Sequence, residues 1–347
     1  MSLAVDPGLP VEIGTIGKEL GKLWEESGDT KTRASLINLA IYTENPDAVL
    51  WNTGLIAEIA GEHACRALLI FADPAADKPD ARAWISAHCH MAGKGERQIC
   101  SEQITFELDG EMVHSLPNIV FSHLDSDLPL YFWWQGEFRE PLDQKLWSWI
   151  DRLIFDSADW RNPVEQLAIA RKIATLNAER TILCDLNWTR LLGTRFALAQ
   201  LFDHSCANAR MREIEKVTIT ASRRSTGLLL LGWLATQFGW KFQSLLGKEF
   251  FLPQSGGHID FSVTENPGAD IAEVSFQTAD VSFGIRREEY SEYFHGYIDG
   301  GGFCNTNMVL SAGKSRIEDI LLMELSRGGK HPLYAKAICA IEPLLGH

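Results

Sequence analysis

Three clusters of side chains in this sequence could do chemistry, and each has a plainer structural explanation. His88-Cys89-His90 offers two imidazoles and a thiol. On a strand the two histidines share one face while Cys89 points to the other, so at most two metal ligands converge. A structural strand with a polar face explains the same residues, and Cys100 or His114 could complete a metal set only through the fold. Ala312-Gly313-Lys314-Ser315 imitates the end of a phosphate loop. Met308 stands where the earlier glycine belongs, so the cradle of backbone amides cannot form. Ser222-Arg223-Arg224-Ser225-Thr226 lies between a strand-like and a helix-like run. Arg223, Arg224, Ser225 and Thr226 would hold a phosphate through guanidinium groups and free amides at a helix start. Two solvated arginines at a capped helix are the alternative.

The usual catalytic templates are missing. No Gly-x-Gly-x-x-Gly follows the first strand, and there is no His-Glu-x-x-His and no Gly-x-Ser-x-Gly. Gly300-Gly301-Gly302 leads into a strand-like segment and reads as a turn. The acid pairs Asp125 with Asp127 and Glu288 with Glu289 have no context that would separate their pKa values. No catalytic residue, cofactor or metal is expected. What remains is recognition. Trp133 and Trp134 end a strand with one ring toward each face, and Asp185-Leu186-Asn187-Trp188-Thr189-Arg190-Leu191 opens a helix capped by Asp185 or Asn187. Tryptophan and arginine are enriched where proteins bind one another. Trp133, Trp134, Asp185, Asn187, Trp188, Thr189 and Arg190 are therefore candidate partner-binding residues, with core packing of the three tryptophans as the alternative.

The elements that position them follow from periodicity. A helix is expected within 10–27, then a polar linker. Ser35 to Tyr42 reads as a buried strand, 47–63 as a helix and Ala67 to Phe71 as a second strand, the βαβ opening of a partly parallel sheet. Strands at 83–90 and 99–108 flank a Gly93-Lys94-Gly95 turn. A helix at 111–124 precedes the strand Leu128 to Trp134, and a helix near 141–150 precedes the strand Leu153 to Asp156. Helices cover 163–177 and 183–203. After the polar run from His204, a strand at 215–221 and a Leu-rich helix at 225–239 open a second half of alternating strands, closed by helices at 314–327 and 332–344. The fold class is α/β: a mixed N-terminal domain with a partly parallel sheet, then an α+β C-terminal domain with a mainly antiparallel sheet. The domains are drawn as an N-terminal helix and linker over 1–30, the first domain over 31–205 and the second over 206–347.

Composition limits the partners. Hydrophobic residues make up 46% and charged residues 22%, an ordinary globular balance. A net charge of −14 argues against nucleic acid and anionic membrane surfaces as partners. No apolar run has membrane-spanning length, no signal peptide is expected at the N-terminus, and the seven scattered cysteines read as reduced, mostly buried thiols of a cytoplasmic protein.

Several stretches together are similar to a known family, the glucose-6-phosphate dehydrogenase assembly proteins called OpcA. They are Ile99-Cys100-Ser101-Glu102-Gln103-Ile104, the run from Leu116-Pro117 to Asp127-Leu128-Pro129-Leu130 and Phe132-Trp133-Trp134, Asp156-Ser157-Ala158-Asp159-Trp160, Leu231-Gly232-Trp233-Leu234-Ala235 and above all the Asp185–Leu191 stretch. Where the family tends to have His-Pro-x-Arg, this chain has His63-Ala64-Cys65-Arg66. The resemblance implies a non-enzymatic partner of glucose-6-phosphate dehydrogenase that promotes its active oligomer and raises NADPH output of the oxidative pentose phosphate route. A sugar-phosphate or nucleotide sensor or enzyme using the Ser222–Thr226 turn is the competing reading.

Overall fold

The computed structural model of the chain describes residues 7–25, 31–91, 98–177, 180–245, 247–289, 291–300 and 304–345. The expected turn at Gly93-Lys94-Gly95 and two of the three glycines at 300–302 lie outside the described residues. Two compact units divide the chain. The first takes Met1–Phe155, Ala168–Cys184 and Leu321–Gly329; the second takes Asp156–Leu167, Asp185–Ile320 and Lys330–His347. The main division thus falls after Cys184, not at the 205/206 boundary expected from the polar run, because the helices after Asp185 pack with the later strands.

The first unit is built on β1 (Leu9–Val11), α1 (Ile16–Glu25), β2 (Lys31–Arg33), β3 (Ile37–Thr43), α2 (Ala48–Glu62), β4 (Cys65–Asp73), β5 (Asp80–Met91) and β6 (Gln98–Asp109). It continues through α3 (Leu116–Phe121), β7 (Leu130–Trp134), α4 (Gln144–Trp147), β8 (Arg152–Phe155), part of α5 (Pro163–Leu176) and β9 (Ile182–Asp185). Its sheet runs β1-β5-β6-β4-β3-β7-β8-β9, with β2 paired to β6. β3 pairs in parallel with β4 and β7, β4 with β6, and β7 with β8, while β5 runs antiparallel to β6 and to β1. Every residue of β3 is buried, as its unbroken apolar run requires of a strand covered on both faces. Besides Thr43 at its end, Asn38 is the polar exception. Its amide donates to the carbonyls of Asp125 and Leu128 and its oxygen accepts from the Asp125 N–H, which ties the loop before β7 to the centre of the sheet.

Three expectations for this unit change. Cys89 and Cys100 stand opposite one another in the β5–β6 register and are joined by a disulfide, so the cysteines are not all reduced thiols and Cys100 is spent as a metal ligand. The segment expected to be helical from 183 begins as strand β9, since Ile182-Leu183-Cys184 extends the sheet beside β8. The helix drawn at 111–124 begins as a 3-10 helix over Gly110–Ser115 and continues as α3, and the one drawn at 141–150 contracts to the single turn α4.

The second unit contains α6 (Leu186–Arg190), α7 (Leu192–Asp203), α8 (Ser205–Arg210), β10 (Lys216–Ala221), α9 (Arg224–Phe238), β11 (Lys241–Leu245) and β12 (Lys248–Leu252). It goes on through β13 (Asp260–Glu265), β14 (Ile271–Gln277), β15 (Ser282–Arg286), β16 (Tyr293–Asp299) and β17 (Thr306–Ser311), the first turn of α10 (Ile317–Ser326), and α11 (Pro332–Ile341). The sheet order is β13-β10-β14-β15-β16-β17; β13 and β10 are parallel and every other pair is antiparallel. β11 and β12 form a separate hairpin. One face of the large sheet is apolar and buried through Val217, Ile219, Val274, Phe276, Phe283, Ile285, Phe294 and Ile298. Phe202 of α7 packs edge-on against Phe276 and Phe283 there. Alternation along each strand therefore gives the one-sided antiparallel sheet that the sequence pattern requires. Cys206 and Cys304, neither of them in a disulfide, come into hydrogen-bonding contact in this unit, which pushes the Cys304 thiol above its ordinary value.

Candidate functional site

In the second unit, three sequence segments that are far apart in the chain close on one another through buried polar side chains. At the end of β9 the Asp185 side chain caps α6 by accepting from the Asn187 N–H at 3.0 Å. The same carboxylate accepts from the Ser157 N–H at 3.1 Å and from the Ser157 hydroxyl at 2.6 Å. The Asn187 amide donates to the Ser157 hydroxyl oxygen at 3.1 Å and accepts from the Thr226 hydroxyl at 2.8 Å. The Ser225 hydroxyl donates to the Ala158 carbonyl. Asp156–Trp160, Asp185–Arg190 and Ser222–Thr226 are thus one network. Four of its members, Ser157, Asp185, Asn187 and Thr226, are buried.

A charged layer flanks this network. Arg190 makes a two-pronged contact with Asp156, at 3.2 and 2.6 Å, and its Nε lies 3.5 Å from Asp270. Burial works against the Arg190 charge, but Asp156 and then Asp270 outweigh it and hold its pKa above the ordinary value. Burial raises the Asp270 pKa against the opposing pull of Arg190 and Arg287, and burial lowers that of Arg287. Asp185 is pushed up to about 6, first by burial and then by the neighbouring Asp156 charge, with the Ser157 hydrogen bonds pulling the other way. Trp188 lies beneath the Arg195 guanidinium, 3.6 Å from its ring centroid, and 5.8 Å from the Tyr334 ring.

Every sequence-derived candidate can now be placed. Trp188, Thr189, Asp185 and Asn187 are buried, and the Arg190 side chain is nearly so. Trp133 and Trp134 are buried in the first unit, where Trp134 stacks on Tyr42 and meets Trp147 and Phe138, while Trp133 meets the edge of Trp51. The two rings do take opposite faces of β7. The six buried side chains and the nearly buried Arg190 offer little surface of their own, which fits the core-packing alternative for the tryptophans. The structure brings five of them together in the second unit, with Trp133 and Trp134 in the first.

The four residues of the expected anion site lie together at the start of α9. The Arg224 N–H at the start of α9 donates to the Glu265 carboxylate at 3.0 Å, and Arg223 pairs with Asp159 at 2.8 Å. Thr226 turns inward to Asn187, and Ser225 to Ala158. A cleft of about 690 Å³ does open beside these residues, lined by Trp160, Arg161, Arg223, Arg224 and Glu265 among others. Carboxylates thus engage Arg223 and the Arg224 N–H, two of the donors that a phosphate would use.

Sequence reasoning quoted Asp156 and Ser157 without giving them a role, and missed Asp270, Arg195 and Glu265. The acid after a strand followed by serine was a usable signal for the first two. Asp270 and Glu265 sit in loops or strand ends whose proximity only the fold sets. In the first unit the Ile99–Ile104 stretch has a similar use: buried Glu102 accepts from the Trp24 indole at 2.6 Å and lies 3.4 Å from Arg66 of the His63–Arg66 element.

Comparison with known proteins places this architecture. Residues 56–172 match the family described as glucose-6-phosphate dehydrogenase subunit N-terminal domain, and residues 181–338 match its C-terminal domain. A protein of Synechocystis sp., provisionally named OxPP cycle protein OpcA, is 24% identical over 87% of this chain and 67% of its own length. Proteins with the same provisional name from Nostoc punctiforme and Synechococcus elongatus are 26% and 25% identical, over 62% and 82% of this chain and 49% and 68% of their own lengths. The chain thus spans about two thirds of two of these relatives and about half of the other. Among solved structures, aldose-aldose oxidoreductase from Caulobacter crescentus is 9% identical with a TM-score of 0.48, over 89% of this chain and 96% of that one. That likeness is too low to carry an argument. With both of its domains matched in order, the chain belongs to the OpcA family of glucose-6-phosphate dehydrogenase subunits.

Proposed function

We propose that this chain is a non-enzymatic assembly factor and allosteric activator that binds glucose-6-phosphate dehydrogenase, promotes its active oligomer and raises NADPH production. The observation that carries this reading is the match of both halves of the chain, in order, to the two domains of a dehydrogenase-subunit family. An activator of this kind works only by binding the active state of the enzyme more tightly than the inactive one.

In this reading the Asp185–Arg190 network is a scaffold. It fixes the start of α7, and α7 carries Phe196, an aromatic side chain left 62% exposed. An exposed ring on a helix held by buried hydrogen bonds suits a contact residue, since little side-chain entropy is lost on binding. Trp188 and Arg190 then serve the partner contact through the helix they position.

The experiment is a titration of the dehydrogenase from the same organism, at limiting glucose 6-phosphate, with complex mass read by light scattering. A saturating rise in rate with a co-migrating complex supports the proposal. F196A should raise the concentration needed for half-activation without changing the thermal midpoint of the chain. No complex and no change in rate, across salt and reducing conditions, overturns it.

A further inference from the structure

The outer face of the large sheet in the second unit carries side chains that are mostly exposed or part-exposed, and its strand registers define it residue by residue. Side chains opposite the buried face fall into three rows across the strands. One row reads Thr264, Thr220, Glu273, Arg286, His295, Val309. The middle row reads Ser262, Thr218, Ser275, Gly284, Tyr297, Asn307, and the third reads Asp260, Lys216, Gln277, Ser282, Asp299. Contacts along the face agree with this assignment: Ser262 donates to Thr218, and Tyr297 donates to Glu273. A Cβ on Gly284 would lie 3.0 Å from the Tyr297 hydroxyl, so the glycine lets that ring lie flat across the row. Val309 is 64% exposed, and Arg286, His295 and Asn307 are exposed as well.

Two properties separate this face from an ordinary wet sheet surface. The chain carries −14, yet the three rows set Lys216 and Arg286 against Asp260, Glu273 and Asp299, and the middle row has no charge at all. Two copies of so acidic a chain repel at long range, and a near-neutral face is where they approach at least cost. The second property is self-complementarity. A two-fold axis lying along the strands, between β14 and β15, superposes each row on itself with the strand order reversed. Glu273 then meets Arg286 of the second copy, Lys216 meets Asp299, and Tyr297 meets Thr218. At about 4.8 Å between strands and about 3.3 Å per residue, six strands of about six residues make a face of roughly 25 by 20 Å. The accessible area of such a pleated, side-chain-bearing face exceeds its flat area, and reaches the order of the ~800 Å² per partner of a standard interface.

We propose that this outer sheet face is the interface of a homodimer, with a second copy of the chain packed on it about that two-fold axis. Isologous contacts of this kind close on themselves and stop at two copies. The pairing of Glu273 with Arg286 sets the register of the two sheets, and the hydroxyl row between them supplies adaptable hydrogen bonds.

The test uses the full chain alone, without the dehydrogenase, so its outcome is separate from that of the proposed activity. Light scattering on the wild-type protein should give twice the 38.8 kDa chain mass, falling to the single mass on dilution. R286E and E273R should each run as single chains that still unfold cooperatively, with a thermal midpoint lowered only by the lost stabilisation of the dimer, because both side chains point outward. The double exchange E273R with R286E should restore the dimer. A wild-type chain that stays single at every accessible concentration overturns the proposal. So does a dimer that survives both single reversals, or a double exchange that fails to recover it while remaining folded.

Discussion

Asp185 shows how one residue can set the pH response of the site. Its carboxylate is enclosed among the Ser157 and Asn187 donors, and its folded pKa of about 6 lies above the 3.8 of an unperturbed aspartate. A raised folded pKa favours the fold where the group is protonated. That contribution is complete below about 3.8 and is lost as pH rises through about 6, a difference of about 3 kcal/mol. The thermal midpoint of the chain should therefore fall between about pH 4 and pH 6. D185N should flatten part of that slope, leaving the part that comes from Asp270, whose raised pKa has the same sign. Parallel curves for wild type and D185N would show that Asp185 does not titrate in this range. Arg190 answers to geometry instead. A lysine has one ammonium where the guanidinium reaches Asp156 with two nitrogens and Asp270 with a third. R190K is expected to lose part of the stability and R190A about 2 kcal/mol, because removal leaves two part-buried acids without the guanidinium. Urea denaturation measures both, and D156N introduced together with R190A should recover some of the loss.

At the scale of elements, the approach of α7 to the end of β17 is as tight as backbone allows. A Cβ on Gly193 would stand 1.9 Å from the Ala312 carbonyl oxygen, and backbone cannot swing aside as a side chain can. G193A should cost about 2 kcal/mol or more and lower the thermal midpoint by several degrees. A midpoint within error of wild type would mean that the two elements can separate freely. The β5–β6 pair carries the second prediction of this kind. Its disulfide closes a loop of 11 residues, and replacing both Cys89 and Cys100 by serine should destabilise the first unit by about 3 kcal/mol. Much of the architecture was legible beforehand. The unbroken apolar run of β3, the alternation of β13 to β15 and the leucines of α9 each obey a period that burial imposes. What escaped was set by contacts distant in sequence. Ile182–Asp185 reads as helical because the helix after it is strong, and only its neighbour β8 makes it a strand. The disulfide depends on a register that spacing alone does not give. Between core packing and partner contact the sequence could not choose for the tryptophans, since a buried tryptophan and a binding tryptophan are the same letter.

For the whole molecule, activation is a linkage between two binding equilibria, and linkage makes a prediction that a simple tether does not. If the chain tightens the dehydrogenase for glucose 6-phosphate by some factor, the substrate must tighten the dehydrogenase for the chain by the same factor. A tenfold effect corresponds to about 1.4 kcal/mol in either direction. The dissociation constant of the complex should therefore be measured with and without saturating substrate. The ratio of the two constants should equal the ratio of substrate affinities with and without saturating chain. Equal affinity of the chain for substrate-free and substrate-loaded enzyme, alongside a real rise in rate, would remove allosteric activation and leave assembly alone. In that case the gain in rate should vanish at enzyme concentrations where the active oligomer forms unaided, since a factor acting only on assembly contributes nothing once assembly is complete.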